Sequence, residues 1–95
     1  MRLRYTRRAA KELDEVLSYI DERSPQGAAN VKARIRAIVD LVALHPPAGR
    51  LTSRSGLRRI VVAPYPYLVF YTVSNDEVVI HGVRHAARRP SSMSQ

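Results

Sequence analysis

The apolar positions of this chain follow two periods, and the change between them falls near the middle. Residues 2–6 alternate charged and apolar side chains. Leu3 and Tyr5 project one way and Arg2 and Arg4 the other, which predicts a short edge strand. Thr6 is placed to cap a helix. Over residues 7–23, Ala9, Leu13, Val16, Leu17 and Ile20 recur at helical spacing, with Lys11, Glu12, Asp14, Glu15 and Asp21 on the opposite face. Ser24-Pro25 breaks this helix and starts the next, because Ser caps well and Pro fits the first helical position. Ala28, Val31, Ile35, Ile38 and Val42 form a second stripe, thickened by Val39 and Leu41. It ends near Leu44, before Pro46-Pro47. The first half therefore reads as a helical hairpin with a very short connection.

Residues 45–56 (HPPAGRLTSRSG) have the composition of a loop. Beyond them come three strand-like runs: 57–63 (LRRIVVA), 67–73 (YLVFYTV) and 77–84 (EVVIHGVR). Their connections, Pro64-Tyr65-Pro66 and Ser74-Asn75-Asp76, are too short for a crossover, so the three should pair antiparallel. The order β-α-α-β-β-β predicts an α+β fold of two layers, the helical hairpin packed on one face of an antiparallel sheet. Residues 1–87 are expected to form a single domain, and residues 88–95 (RRPSSMSQ) a polar, flexible C-terminal tail.

That architecture leaves a surface without cover. A sheet with one solvated face should alternate apolar and polar residues. Residues 67–73 do not: Tyr67, Val69, Tyr71 and Val73 lie on one face, Leu68 and Phe70 on the other. By the same alternation Val78 and Ile80 face oppositely to Val79 and Val83. Two helices cover one face, so the second is apolar and short of covering material. Either the 45–56 loop and the tail cover it, or a partner peptide or dimer contact does. Helix 1 breaks a second rule. Arg7 and Arg8 sit in its first turn, Asp21 and Glu22 in its last, each of the wrong sign for the helix dipole. A solvated face tolerates this, and so does a placement of Arg7, Arg8 and Lys11 for a partner.

Charge narrows the choice of partner. The 95 residues carry 16 Lys+Arg against 8 Asp+Glu, a net charge of +8. A hydrophobic content of 45% excludes a disordered basic tail. A globular, basic protein points to anionic partners: nucleic acid, an acidic protein or a ribonucleoprotein. The charge is uneven. Helix 1 holds five of the acids, whereas residues 41–95 hold seven Arg and two acids, or 7 − 2 = +5. There is no Cys, which removes disulfide scaffolds and thiol nucleophiles. No apolar run resembles a signal peptide or a membrane span, so a cytoplasmic protein without membrane contact is expected.

Few residues offer chemistry. His81 and His85 are four apart in a strand, roughly 13 Å, too far to share a metal. Neither a metal set nor a Gly-rich phosphate loop is present, and no cofactor is expected. Arg58, Arg59, Arg84, Arg88 and Arg89, with His85, could form a cationic patch at one end of the sheet. Arg binds phosphate bidentately and stabilises developing phosphoryl charge, and His can act as general acid or base. The alternative is an edge of solvated arginines beside an ordinary strand-end His.

The run PYPYLVFYTV followed by DEVVIHGVRHAAR resembles the ParE/RelE superfamily of toxins from type II toxin–antitoxin systems. The opening RYTRRAAKELDEVLSYIDERSP is similar to the family's first helix, and VKARIRAIVDLVALHPPAGR to its second helix and exit. The segment around Tyr65-Pro66-Tyr67 and the ending Val83-Arg84-His85, then Ala87-Arg88, resemble the ParE branch most. The resemblance implies an antitoxin from the adjacent gene, ParD-like or related. It implies antitoxin contacts at Leu13, Val16, Leu17, Arg58, Tyr67 and Phe70. ParE-like members inhibit DNA gyrase by binding; no motif localises the target contacts, which are expected in the C-terminal region at Arg84, His85, Arg88 and Arg89. RelE-like members cut mRNA on the ribosome without metal, and that reading would use His85, Arg84, Arg59 and Arg88. Leu68 stands where the nuclease branch commonly has Arg, and no Tyr follows Tyr71, which favours the gyrase reading.

Overall fold

The computed structural model describes residues 1–87. Its elements run β1 (Arg2–Tyr5), α1 (Arg7–Asp21), α2 (Pro25–Leu44), a single 3-10 turn (Pro46–Ala48), β2 (Arg50–Leu51), β3 (Arg58–Val61), β4 (Tyr67–Val73) and β5 (Glu77–His85). The expected tail, with Arg88 and Arg89, lies outside the described residues.

Both helices start where their capping residues dictate. Thr6 is extended, and its Oγ1 accepts a hydrogen bond from the Ala9 N–H at 3.0 Å. Ser24 Oγ accepts from the Gly27 N–H at 2.9 Å, with Pro25 in the first helical turn. Of the charges that oppose the dipole of α1, Arg8 and Glu22 have local partners, Glu22 lying 3.7 Å from Arg23. Arg8 pairs with Glu12 at 3.3 Å, and Arg23 donates to the Tyr19 carbonyl at 2.9 Å, closing the C-terminal end. On α2 the expected stripe is buried: Ala28, Val31, Ile35, Ile38, Val39 and Val42. Leu41 does not thicken it but lies on the exposed flank. On α1 only Ala9 is fully enclosed, while Leu13, Val16, Leu17 and Ile20 are half-buried against the core.

The hairpin packs on a five-stranded sheet of order β1-β5-β4-β3-β2. The antiparallel pairing of β3, β4 and β5 is as expected from their short connections. Two features differ. β1 pairs parallel to β5, so the sheet is mixed rather than antiparallel. The whole hairpin and meander separate those two strands, so no short connection set their direction. The 45–56 loop also supplies β2, which pairs with β3.

A third difference concerns phase. The pairing of β4 with β5 runs Phe70 to Gly82 and then Tyr71 to Ile80, leaving His81 as the extra residue of a β-bulge. The bulge flips the alternation of β5. Val83 pairs with Val69 and shares the core face with Val78 and Ile80, instead of opposing them as strict alternation required. The core is therefore continuous, with Tyr71, Ile80, Val69, Val78, Val39, Val42, Val62 and Val83 essentially shut from solvent.

Tyr71 does more than fill volume. Its hydroxyl donates to the Pro46 carbonyl and accepts from the Gly49 N–H, both at 2.7 Å. A Cβ on Gly49 would lie 2.6 Å from that hydroxyl oxygen and 2.8 Å from the Arg59 carbonyl, so glycine permits the approach. Arg58 fastens the same turn, donating to the Gly49 carbonyl at 2.7 Å and the Pro47 carbonyl at 3.4 Å. Near β1, burial raises the Tyr5 phenol above its ordinary pKa, helped by Asp40 and opposed by Arg36.

Tyr71→Phe leaves a buried N–H and a carbonyl without their partner. It should cost about 1–3 kcal/mol while preserving the far-UV spectrum, measured by urea unfolding. No loss of stability would show that the turn is not held by this hydroxyl.

Candidate functional site: the open face of the sheet

Strand register assigns every side chain of the sheet to one of two sides. Tyr67, Val69 and Tyr71 face the helices, together with Val83, Ile80 and Val78. Leu68, Phe70 and Thr72 face away, with Arg84, Gly82 and Val79 as their partners on β5. On β3, Val61 and Arg59 share this second side, and Arg50 of β2 pairs with Arg59. Arg2 and Arg4 of β1 pair with Glu77 and Val79 and so join them. No described helix covers this side. It is an apolar strip of Val61, Leu68 and Phe70 with arginines at its margins. Val61 is 52% exposed, although it lies within a strand of the sheet.

Three contacts order the strip. The Arg84 guanidinium lies 5.5 Å from the centre of the Phe70 ring. Arg4 Nε is 3.1 Å from Glu77 Oε2, an exposed pair at the β1 margin. Thr72 Oγ1 and His81 Nε2 are 2.8 Å apart, so the bulge residue is tied across to β4 on the open side.

The register separates residues that the sequence grouped together. Arg84 and Arg59 are on the open face, flanking Phe70. His85 pairs with Tyr67, whose buried ring it meets edge-on at 5.3 Å, and its Nδ1 accepts from the Ala87 N–H at 3.1 Å. His85 thus belongs to the opposite side from Arg84. Of the arginines grouped at this end, Arg58 points inward to the 46–49 turn. The residues matched to antitoxin contacts divide likewise. Leu13, Val16 and Leu17 flank the hairpin, Tyr67 is in the core, and Phe70 is on the open face.

Two residues of the site escaped the sequence reading. His81 carries no sequence signal for its place opposite Thr72, which depends on the bulge. Helical periodicity puts Glu12 on the solvated face of α1. Its Oε1 in fact accepts from the Val83 N–H at 3.0 Å, and its Oε2 is 3.6 Å from Arg84 Nε. Among the described residues no cluster of three or more His, Asp or Glu is arranged for a metal ion.

The chain matches the family described as "ParE toxin of type II toxin-antitoxin system, parDE" over residues 3–90. The Y4kP protein of Sinorhizobium fredii, described as a putative toxin, is 42% identical over 85 residues, covering 90% of this chain and 88% of that protein. Toxin RelE2 of Caulobacter vibrioides is 38% identical over 84 residues, covering 88% of this chain and 93% of that toxin. Among solved structures, the chromosomal ParDE toxin–antitoxin system of P. aeruginosa contains a chain of the same fold, with a TM-score of 0.78 at 24% identity over 90% of this chain and 95% of that one.

The two sides of the sheet should respond differently to substitution. Val61→Ser on the open face should change stability by no more than about 0.5 kcal/mol. Val69→Ala, one strand away on the core side, should cost about 2 kcal/mol through the cavity it leaves. Equal losses in thermal or urea unfolding would show that the open face is packed.

Proposed function

The chain belongs to the ParE toxin family of type II toxin–antitoxin systems, and from that premise we propose that it inhibits DNA gyrase by binding, without chemistry of its own. The observation that carries this reading is the separation of Arg84 from His85. An endoribonuclease working through these residues needs an acid–base group beside its phosphate-binding arginines. The imidazole of His85 is on the helix side of the sheet, packed against Tyr67, while Arg84 and Arg59 are on the other. What remains on the open face is an apolar strip with an arginine margin, and a His81 whose Nε2 is engaged with Thr72 Oγ1 at 2.8 Å. Arginine and aromatic residues of this kind anchor protein interfaces. The margin also suits a target bound to DNA, whose phosphates arginine contacts directly.

A cognate antitoxin, ParD-like or related and encoded by the adjacent gene, is the proposed neutralising partner, in a hetero-oligomer in the cytoplasm. Half-buried Leu13, Val16 and Leu17 offer it an apolar flank of α1, and Phe70 an anchor on the sheet. No described helix is long and apolar enough to cross a membrane. The competing reading, a RelE-like metal-independent nuclease acting on mRNA in the ribosome, draws support from Arg59 and Arg84 flanking Phe70. That arrangement could hold a phosphate and stack a base.

Purified toxin should inhibit supercoiling by gyrase, and added antitoxin should relieve the inhibition. Arg59→Ala and Arg84→Ala should each weaken it roughly tenfold without unfolding the protein. Normal supercoiling at saturating toxin, with mRNA cleavage in a ribosome primer-extension assay, would replace this reading by the nuclease one.

A further inference from the structure

α1 and the open face meet at one carboxylate. β1 ends at Tyr5, and its last ladder contact is the Thr6 N–H to the Ile80 carbonyl at 3.0 Å. The outer edge of β5 beyond that point has lost its neighbouring strand. Glu12, in the second turn of α1, takes the strand's place: its Oε1 accepts from the Val83 N–H at 3.0 Å. Its Oε2 lies 3.3 Å from Arg8 Nε and 3.6 Å from Arg84 Nε. The Glu12 side chain is only 19% exposed and the Arg84 side chain 24%, so the pair is partly shielded from solvent. Gly82 makes the approach possible, since a Cβ there would lie 2.9 Å from Glu12 Oε1.

We propose that Glu12 is the positioning residue of Arg84. It fixes the guanidinium at the margin of the open face, next to Phe70, and thereby sets the geometry of the target-binding surface. The physical reason is a division of labour within one side chain. One carboxylate oxygen is anchored to the β5 backbone, which immobilises the group. The other oxygen faces two guanidinium groups, and its charge holds Arg84 in one of the several directions its long side chain can take. Gly82 serves the same end by leaving room for the anchor. The importance of Arg84 for inhibition rests on the gyrase reading; its positioning by Glu12 does not.

Two substitutions disturb this contact by different routes. Glu12→Gln retains an oxygen for the Val83 N–H and removes the charge facing Arg84. Gly82→Ala keeps the charge but displaces it, because the closest atom to the added methyl is the far end of the flexible Glu12 side chain. Both are made in the full-length toxin. The Arg84 Nε–Hε resonance is recorded by nitrogen-15 NMR, and gyrase inhibition is titrated in the wild-type and Arg84→Ala backgrounds. Both variants should shift that resonance and speed its solvent exchange. Each should raise the toxin concentration for half-inhibition about fivefold, and neither should add to the loss in the Arg84→Ala background. An Arg84 resonance unmoved in both variants overturns the proposal. So does a loss of inhibition by these variants that is as large without Arg84 as with it. If Arg84→Ala alone leaves inhibition intact while the resonance still moves, the positioning role stands and the open-face account of gyrase binding fails.

Discussion

The packing of α1 and α2 buries Tyr67, Val69, Tyr71, Val78, Ile80 and Val83 on one side of the sheet, and the two helices lie on that side alone. Every other feature of the molecule answers to that limit. The meander and the parallel β1 give the sheet five strands, so its second side is as broad as the first. A solvated sheet face commonly alternates to polar residues. Here Val61, Leu68 and Phe70 occupy it, with arginines around them. Removing apolar surface from water on binding is favourable at about 25 cal/mol per Å². The strip therefore supplies a driving force for association, and the arginines supply selection for an anionic partner.

The bulge at His81 decides which residues serve the core and which the surface. Without it, Val83 would turn outward and Arg84 inward, and the end of β5 would bury a charge. With it, Val83 completes the core and Arg84 joins the open face beside Phe70. The same irregularity places His81 within reach of Thr72 and brings Gly82 under Glu12. A single extra residue thus links the packing of the helices to the chemistry of the exposed side, as bulges beside functional surfaces commonly do.

Much of this was legible in the sequence. The caps at Thr6 and Ser24, the α2 stripe from Ala28 to Val42 and the span of β4 follow from local rules, and local rules decide them in the structure. The apolar character of the second face could also be read from the failure of residues 67–73 to alternate. What could not be read depends on non-local geometry. The parallel pairing of β1 is set by strands at opposite ends of the chain. The bulge carries no signal beyond Gly82, so strict alternation placed Val83 on the wrong side. Arg84 and His85 are adjacent in sequence but not in space, because consecutive strand residues face opposite ways. Glu12 shows the reverse error. Helical periodicity places it among the solvated acids, yet the departure of β1 from the sheet edge brings it against β5.

We propose that the target meets the sheet rather than the hairpin. Side-chain footprinting by hydroxyl radicals, with the toxin free and then saturated with gyrase and DNA, tests it residue by residue. Phe70 and Leu68 should lose reactivity in the complex, while the exposed Tyr19 of α1 and Leu44 of α2 keep theirs. Protection of Tyr19 and Leu44 with Phe70 and Leu68 unchanged would contradict it.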